Sequence, residues 1–238
     1  MILRRTCLRL FGGALFLRGR LRAVAGVQSM LDHILLGCSD LDKGIAFVER
    51  RTGVRASVGG VHPGAGTRNA LLSLGELHYL EIIAPDPGQS GLKAEPTSVL
   101  RTLRHLPAPR IVGWAAHTDD IEALAGRLRQ AGIGFHAPVQ GSRRRPDGRT
   151  LNWRSLKPDD DRGGLIPFFI QWGADSMHPS RDAAAGCSLD EFTLAGPKPE
   201  ELKTLLRQLS IEAQVDNAAA PLVRARITGP GGSVGITS

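Results

Sequence analysis

The sequence predicts an α+β protein built by repeating one strand–helix–strand–strand–strand unit. Three observations carry this expectation. The stretch Leu31-Asp32-His33-Ile34-Leu35-Leu36-Gly37, continuing through Asp40 to Thr52-Gly53, reads as an apolar strand with one histidine, a turn and an amphipathic helix. Fainter echoes follow at residues 113–132 and 189–209, the second opening Leu189-Asp190-Glu191 where the first opens Leu31-Asp32-His33. Strand-like runs follow the first two helices, so β-α-β-β-β can be read over residues 31–85 and again over 110–172.

A chain of 238 residues makes one large domain or two small ones. Hydrophobic content of 42% with 22% charged residues fits a packed protein and excludes wholesale disorder. Cys7, Cys38 and Cys187 are too widely spaced for a disulfide framework or a zinc cluster, and read as reduced thiols of an intracellular protein. The formal charge of +7 is local. Residues 1–30 hold six arginines and no acid, so removing those six charges leaves +1 for the rest. Nothing in that balance makes a duplex-binding surface, so no nucleic-acid partner is expected.

Residues 1–29 form a basic extension with Leu3, Cys7, Leu10, Ala14, Leu17 and Leu21 on one helical stripe. It fits a mitochondrial presequence, or an over-extended start, since Met30 directly precedes the first strand. A likeness to a twin-arginine signal is weak, because Arg18, Arg20 and Arg22 interrupt the apolar region. No uninterrupted apolar run reaches the roughly 20 residues of a spanning helix, so no membrane span is expected.

In the body, Ser39-Asp40 caps a helix over 41–51 that Gly53 closes. Strands are expected at 54–61, 70–74 and 77–84, with a Gly-rich turn at 62–69 and a hairpin connection at Gly75-Glu76. A linker over 89–109 carries a short helix near 98–106. The second unit reads as a strand at 110–117, a helix at 120–131, and strands at 135–139, 150–156 and 165–172, with Arg143-Arg144-Arg145 in a turn that is either a solvated loop or a clamp for an anionic ligand. A third, partial pass gives strands at 189–194, 222–228 and 233–236 around a helix at 200–209. The domain organisation is thus 1–29, 30–88, 89–109, 110–174 and 175–238.

These residues carry a resemblance. Leu31-Asp32-His33, His62-Pro63-Gly64 with Gly66-Thr67 and Asn69, Tyr79-Leu80-Glu81, Phe168-Phe169-Ile170-Gln171-Trp172 and His178-Pro179-Ser180 together are similar to the vicinal oxygen chelate superfamily. Within it, the chain resembles the glyoxalase-like domain proteins over about residues 31–237. The resemblance implies paired β-α-β-β-β modules curled into a curved mixed sheet around a metal. The four ligand positions fall on His33, Glu81, Gly113 and Gln171, of which His33, Glu81 and Gln171 offer donors. The cofactor implied is one divalent ion (zinc, iron, manganese or nickel), or none, since Gly113 has no side chain to give.

The same positions have plainer readings. His33 on an apolar strand fits a satisfied core histidine as well as a ligand. Glu81, inside Tyr79-Leu80-Glu81-Ile82-Ile83, must be paired, protonated, metal-bound or turned to a cavity. Without a metal, burial is expected to raise its pKa and make it a general base. His62 heads a lid and serves as the second proton carrier, with Asn69, Trp172 and His178 contacting substrate; loop geometry and packing explain these residues equally. The function expected is a metal-assisted lyase or isomerase acting on a small oxygenated carbonyl substrate. The alternative is a non-catalytic small-ligand binder of the bleomycin-resistance type. A cytoplasmic location is expected, or the mitochondrial matrix if residues 1–29 are a presequence. Dimerisation through strand edges fits such a fold.

Overall fold

The computed structural model of the chain describes residues 30–89, 98–145 and 147–238. The expectations for residues 1–29 therefore lie outside the described residues. Leu31–Gly37 (β1) is buried along its whole length. Leu41–Thr52 (α1) follows, with the Asp40 carboxylate accepting from the Lys43 N–H at 2.9 Å. Leu41, Ile45 and Val48 turn inward at helical spacing, and Gly53 ends the helix at φ 76°. Ser57–His62 (β2), Thr67–Ser73 (β3) and Tyr79–Pro85 (β4) complete the first unit. After Ser98–Arg104 (α2), the second runs Arg110–His117 (β5), Ile121–Gln130 (α3), Val139–Arg144 (β6), Thr150–Leu156 (β7) and Phe168–Trp172 (β8).

These eight strands form one mixed sheet in the order β2-β3-β4-β1-β5-β8-β7-β6. In each half the first strand lies parallel to the last, β1 to β4 and β5 to β8, and the halves join antiparallel through β1 and β5. The edge strands β2 and β6 curl toward each other. A Cβ on Gly60 would sit 3.0 Å from the Arg144 carbonyl oxygen, so the bare glycine backbone permits the near-closure of the sheet. The α+β class and the curved mixed sheet are as the sequence implied.

The third pass is different. Ser188–Gly196 (β9), Pro199–Gln208 (α4), Gln214–Asn217 (β10), Leu222–Gly229 (β11) and Gly232–Thr237 (β12) make a full β-α-β-β-β string, not a partial one. They form a separate sheet, β10-β9-β11-β12, in which β9 lies parallel to β10 and antiparallel to β11. The two larger halves pair their first strand with their last, so this unit is not a third copy. Its extra strand, Gln-Val-Asp-Asn, is short and polar and gives no alternating signal. The echo of Leu31-Asp32-His33 in Leu189-Asp190-Glu191 marks instead a shared local device. In both strands the pairing register slips by one residue at the aspartate, a β-bulge.

The strand expected at 135–139 is a single bridge, Phe135 to Pro158, and the pairing strand begins at Val139. The Arg143-Arg144-Arg145 run therefore opens in β6 instead of a solvated turn. Its side chains diverge: Arg143 is buried against the sheet interior, while Arg145 pairs with Asp182. Pairing with β7 overrides the weak strand propensity of Gln140-Gly141-Ser142.

The outer face of the eight-stranded sheet carries α1 and the four-stranded sheet, sharing one core with them. Trp114, on β5, sits at that junction: its ring packs edge-on to Phe192 of β9 at 5.1 Å and its Nε1–H donates to the Gly164 carbonyl at 3.1 Å. No helix among the described residues is long and apolar enough to cross a membrane. Trp114→Ala is expected to destabilise the protein by about 3–5 kcal/mol, the usual result of emptying a buried aromatic site. Denaturant unfolding followed by circular dichroism measures it.

Candidate functional site

The concave face of the eight-stranded sheet encloses a cavity of about 670 Å³. One wall is polar, built by His33, His62, Asn69, Glu81 and Arg143; Leu35, Ile83, Val139, Phe168, Ile170 and Trp172 supply much of the rest. β1 is the strand that aims the first of these. The extra residue at Asp32 lets the Asp32 carboxylate turn back onto its neighbour, and Oδ1 lies 2.6 Å from His33 Nδ1. Oδ2 accepts from Trp172 Nε1–H at 2.9 Å and contacts His178 Nε2 at 3.2 Å, with His117 Nδ1 at 3.7 Å.

Burial alone would raise the Asp32 carboxyl, but its bonds from His117, His178 and His33 outweigh that and hold it well below the ordinary carboxylate range. An ionised Asp32 only accepts, so His33 Nδ1 carries the hydrogen that faces it. His33 Nε2 is then the ring's cavity-side nitrogen, 3.4 Å from Glu81 Oε2. The same histidine stacks on Tyr79 at 4.6 Å, which fixes its plane.

Glu81 comes from β4 and is buried with its polar neighbours. Asn69 of β3 donates to Oε1 at 2.6 Å, and His62 Nε2 lies 3.6 Å from the same oxygen. Asn69 Oδ1 in turn accepts from Arg143 Nη1 at 2.9 Å. Arginine only donates, so the amide orientation is determined: its oxygen faces the cation and its nitrogen the carboxylate. Burial would raise Glu81, yet the charges of His62 and His33, the Asn69 bond and the Arg143 charge reverse the shift, and its pKa is lowered. This corrects the expectation of a raised carboxyl. His62 is pushed down, chiefly by burial, against the pull of Glu81. Its Nδ1 lies 2.9 Å from the Thr67 hydroxyl and its Nε2 lies 3.2 Å from the Asn69 amide nitrogen.

Five of the residues read from the sequence line this cavity: His33, His62, Asn69, Glu81 and Trp172. Gln171 does not. Its side chain, on the other face of β8, donates to the Asp119 carbonyl at 2.7 Å and accepts from Ile121 N–H at 3.2 Å, tying down the start of α3. The ligand assignment of Gln171 is corrected on that ground: alternation along β8 turns Phe168, Ile170 and Trp172 inward and Gln171 outward. His178 lies behind the cavity wall, edge-on to Tyr79 and Trp172, and supports Asp32 in place of a substrate. Two further site residues stand out: Asp32 carried no assigned role from the sequence, and Arg143 was read only as part of a solvated turn or an anionic-ligand clamp. Asp32 was visible as an acid in an apolar strand, and Arg143 was one of a basic run whose members look alike until the strand separates them.

A divalent ion is poorly matched to these donors. Such a site takes at least three protein ligands. His33, His62 and Glu81 all face the cavity, but Gly113 offers no donor, the inward residues of β8 are apolar, and among the described residues no three His, Cys, Asp or Glu side chains are grouped to hold an ion. The Arg143 cation, one amide away from Glu81, opposes a second positive charge there.

With this geometry in view, the comparisons are specific at the family level. A family model described as a glyoxalase-like domain matches residues 31–210. The chain belongs to the glyoxalase-like domain family. A hypothetical protein from Staphylococcus aureus shares the fold at TM-score 0.57 and 16% identity, over 87% of this glyoxalase-like chain and 84% of that one. A Streptomyces coelicolor methylmalonyl-CoA epimerase variant, solved with 2-nitronate-propionyl-CoA, gives TM-score 0.46 and 22% identity over 63% of this chain and 98% of that one. No curated protein matches the chain.

The site predicts an acid-sensitive fold. Asp32 is depressed in the folded state, so its stabilisation is complete above the unfolded value of about 4 and is lost as pH falls through the lower folded value. Asp32→Asn is expected to lower the melting temperature at neutral pH and to flatten its fall on the acid side. Melting scans of both proteins across that acid range provide the comparison.

Proposed function

We propose that this glyoxalase-like protein is a proton-transfer enzyme of the isomerase or lyase type, acting on a small carbonyl compound. The observation that carries the reading is the ionised, buried Glu81 carboxylate flanked by His33 and His62 in a largely apolar cavity. Glu81 takes the proton from the carbon next to the carbonyl; the C–H electron pair becomes the new C=C bond and the carbonyl π pair moves to oxygen, giving an enolate. The proton returns from Glu81, or by way of His33 Nε2, whose orientation Asp32 maintains. His62, the last residue of β2, lies against the other oxygen, Glu81 Oε1, at 3.6 Å and shields it from water. Asn69 positions the carboxylate, and the Trp172 ring contacts the substrate body.

The metal-assisted version of this chemistry is not part of the reading, because no three His, Cys, Asp or Glu side chains among the described residues are grouped to hold an ion and a buried arginine adjoins Glu81 through Asn69. One observation favours the alternative of a non-catalytic binder: Glu81 is held below its ordinary pKa, which weakens it as a base unless the carbon acid is activated. The two readings part in heavy water. Wild-type protein is expected to accelerate α-hydrogen exchange of a ketone such as phenylacetone, read by proton NMR. Glu81→Gln is expected to remove at least about 10²-fold of that acceleration, in keeping with general-base catalysis, while circular dichroism shows the fold retained. Unaltered exchange in Glu81→Gln defeats this mechanism; ligand binding without exchange in wild type establishes the binder.

A further inference from the structure

Arg143 is the one positive group on the polar wall that the proton transfer leaves without a task. It is 4% exposed and lines the cavity. Among the described residues its hydrogen-bond partner is Asn69, which engages one of five guanidinium donors. The chain makes room for it. A Cβ on Gly59 would overlap both Arg143 Nη1 and Asn69 Oδ1, and one on Gly60 would come within 3.3 Å of the arginine Cγ and Cδ. A guanidinium buried this deeply requires a compensating negative charge. Glu81 supplies it through the Asn69 amide.

That balance has a chemical consequence. When Glu81 accepts a proton, its charge disappears and an equal charge develops on the substrate oxygen. The wall then keeps its neutrality only if that oxygen lies against the free guanidinium donors. We infer that Arg143 is the oxyanion-stabilising residue of this cavity, doing with a fixed cation what a metal would do from the positions that Gly113 and Gln171 leave empty of ligands. The inference rests on the reading of Glu81 as the base. It also narrows the substrate class to a carbonyl compound whose oxygen meets Arg143 and whose apolar body lies among Leu35, Ile83, Phe168, Ile170 and Trp172. Before transfer the ligand is neutral; an anionic ligand suits the wall only once Glu81 has lost its charge.

The test uses the full chain dialysed against EDTA and two probes: phenylacetone, and the nitronate of phenylnitromethane in mildly alkaline buffer as a stable mimic of the enolate. Trp153 and Trp172 line the cavity and report binding by fluorescence. Glu81→Gln removes the repelling carboxylate and is expected to bind the nitronate about tenfold or more tighter than wild type, as a transition-state-like anion should. The double variant Glu81→Gln/Arg143→Met, which removes both charges together and so leaves no unbalanced ion, is expected to lose that gain. Arg143→Met alone is expected to lose about 10²-fold of phenylacetone exchange, the usual loss for an oxyanion donor. No gain in Glu81→Gln, or a gain that survives in the double variant, would overturn the inference whether or not Arg143→Met folds. Exchange that vanishes with EDTA and returns with zinc would overturn it too. An inactive wild type that nevertheless shows the nitronate pattern places the failure in the base reading, and the enolate role falls with it.

Discussion

One extra residue in β1 organises the interior of this protein. A regular strand would point Asp32 and His33 to opposite faces; the bulge brings the carboxylate back onto the ring beside it. The consequences radiate from there. Asp32 gathers hydrogen-bond donors from β1, from the end of β8 and from the segment after it, and thus links both halves of the sheet at one end of the cavity. Because these donors outweigh the effect of burial, the carboxylate stays charged, and its charge dictates which nitrogen of His33 faces Glu81. The orientation of the candidate catalytic histidine is in this sense a property of strand register.

The other end of the polar wall obeys a matching rule. Asn69 and Glu81 come from the neighbouring strands β3 and β4, whereas Arg143 comes from β6 at the far end of the strand order and meets them only because the sheet curls until β2 and β6 nearly touch. Gly59 and Gly60 are the local condition for that meeting, since side chains there would occupy the space of the arginine. Sheet curvature, seam glycines and buried charge balance are therefore one constraint. Relaxing the curl would strand a cation and an anion in an apolar cavity, and the electrostatic cost of doing so favours the closed sheet.

Much of the architecture was legible in the order of apolar runs, because strand and helix periods survive in a sequence without any knowledge of pairing. Asp40 and Gly53 marked the ends of α1 by local chemistry, and both behave as caps. Topology was not legible: residues 188–237 show the same element string as the two halves but pair differently, and a string of elements does not encode which strand lies beside which. In the site, His33, His62, Asn69, Glu81 and Trp172 were found as polar or aromatic residues interrupting apolar or glycine-rich runs. Gln171 was misplaced because a ligand position was counted without the two-residue alternation of β8, whose inward members are Phe168, Ile170 and Trp172. Arg143 was hidden among three adjacent arginines, and only the edge-strand geometry singles it out.

The charge pattern also bears on the proton transfer proposed for this cavity. A metal would add net positive charge to a wall that already holds a buried guanidinium, whereas proton transfer to Glu81 merely moves one negative charge across a short distance. In the proposed reading the fixed charges complement both ends of that step: the carboxylate before it and the enolate after it. Holding Glu81 below its ordinary pKa lowers its strength as a base, and the charges of His62 and His33 and the Asn69 bond weigh more in that depression than the Arg143 charge. In the proposed reading the Arg143 cation offsets that loss from the other side, by raising the acidity of the carbon that Glu81 attacks.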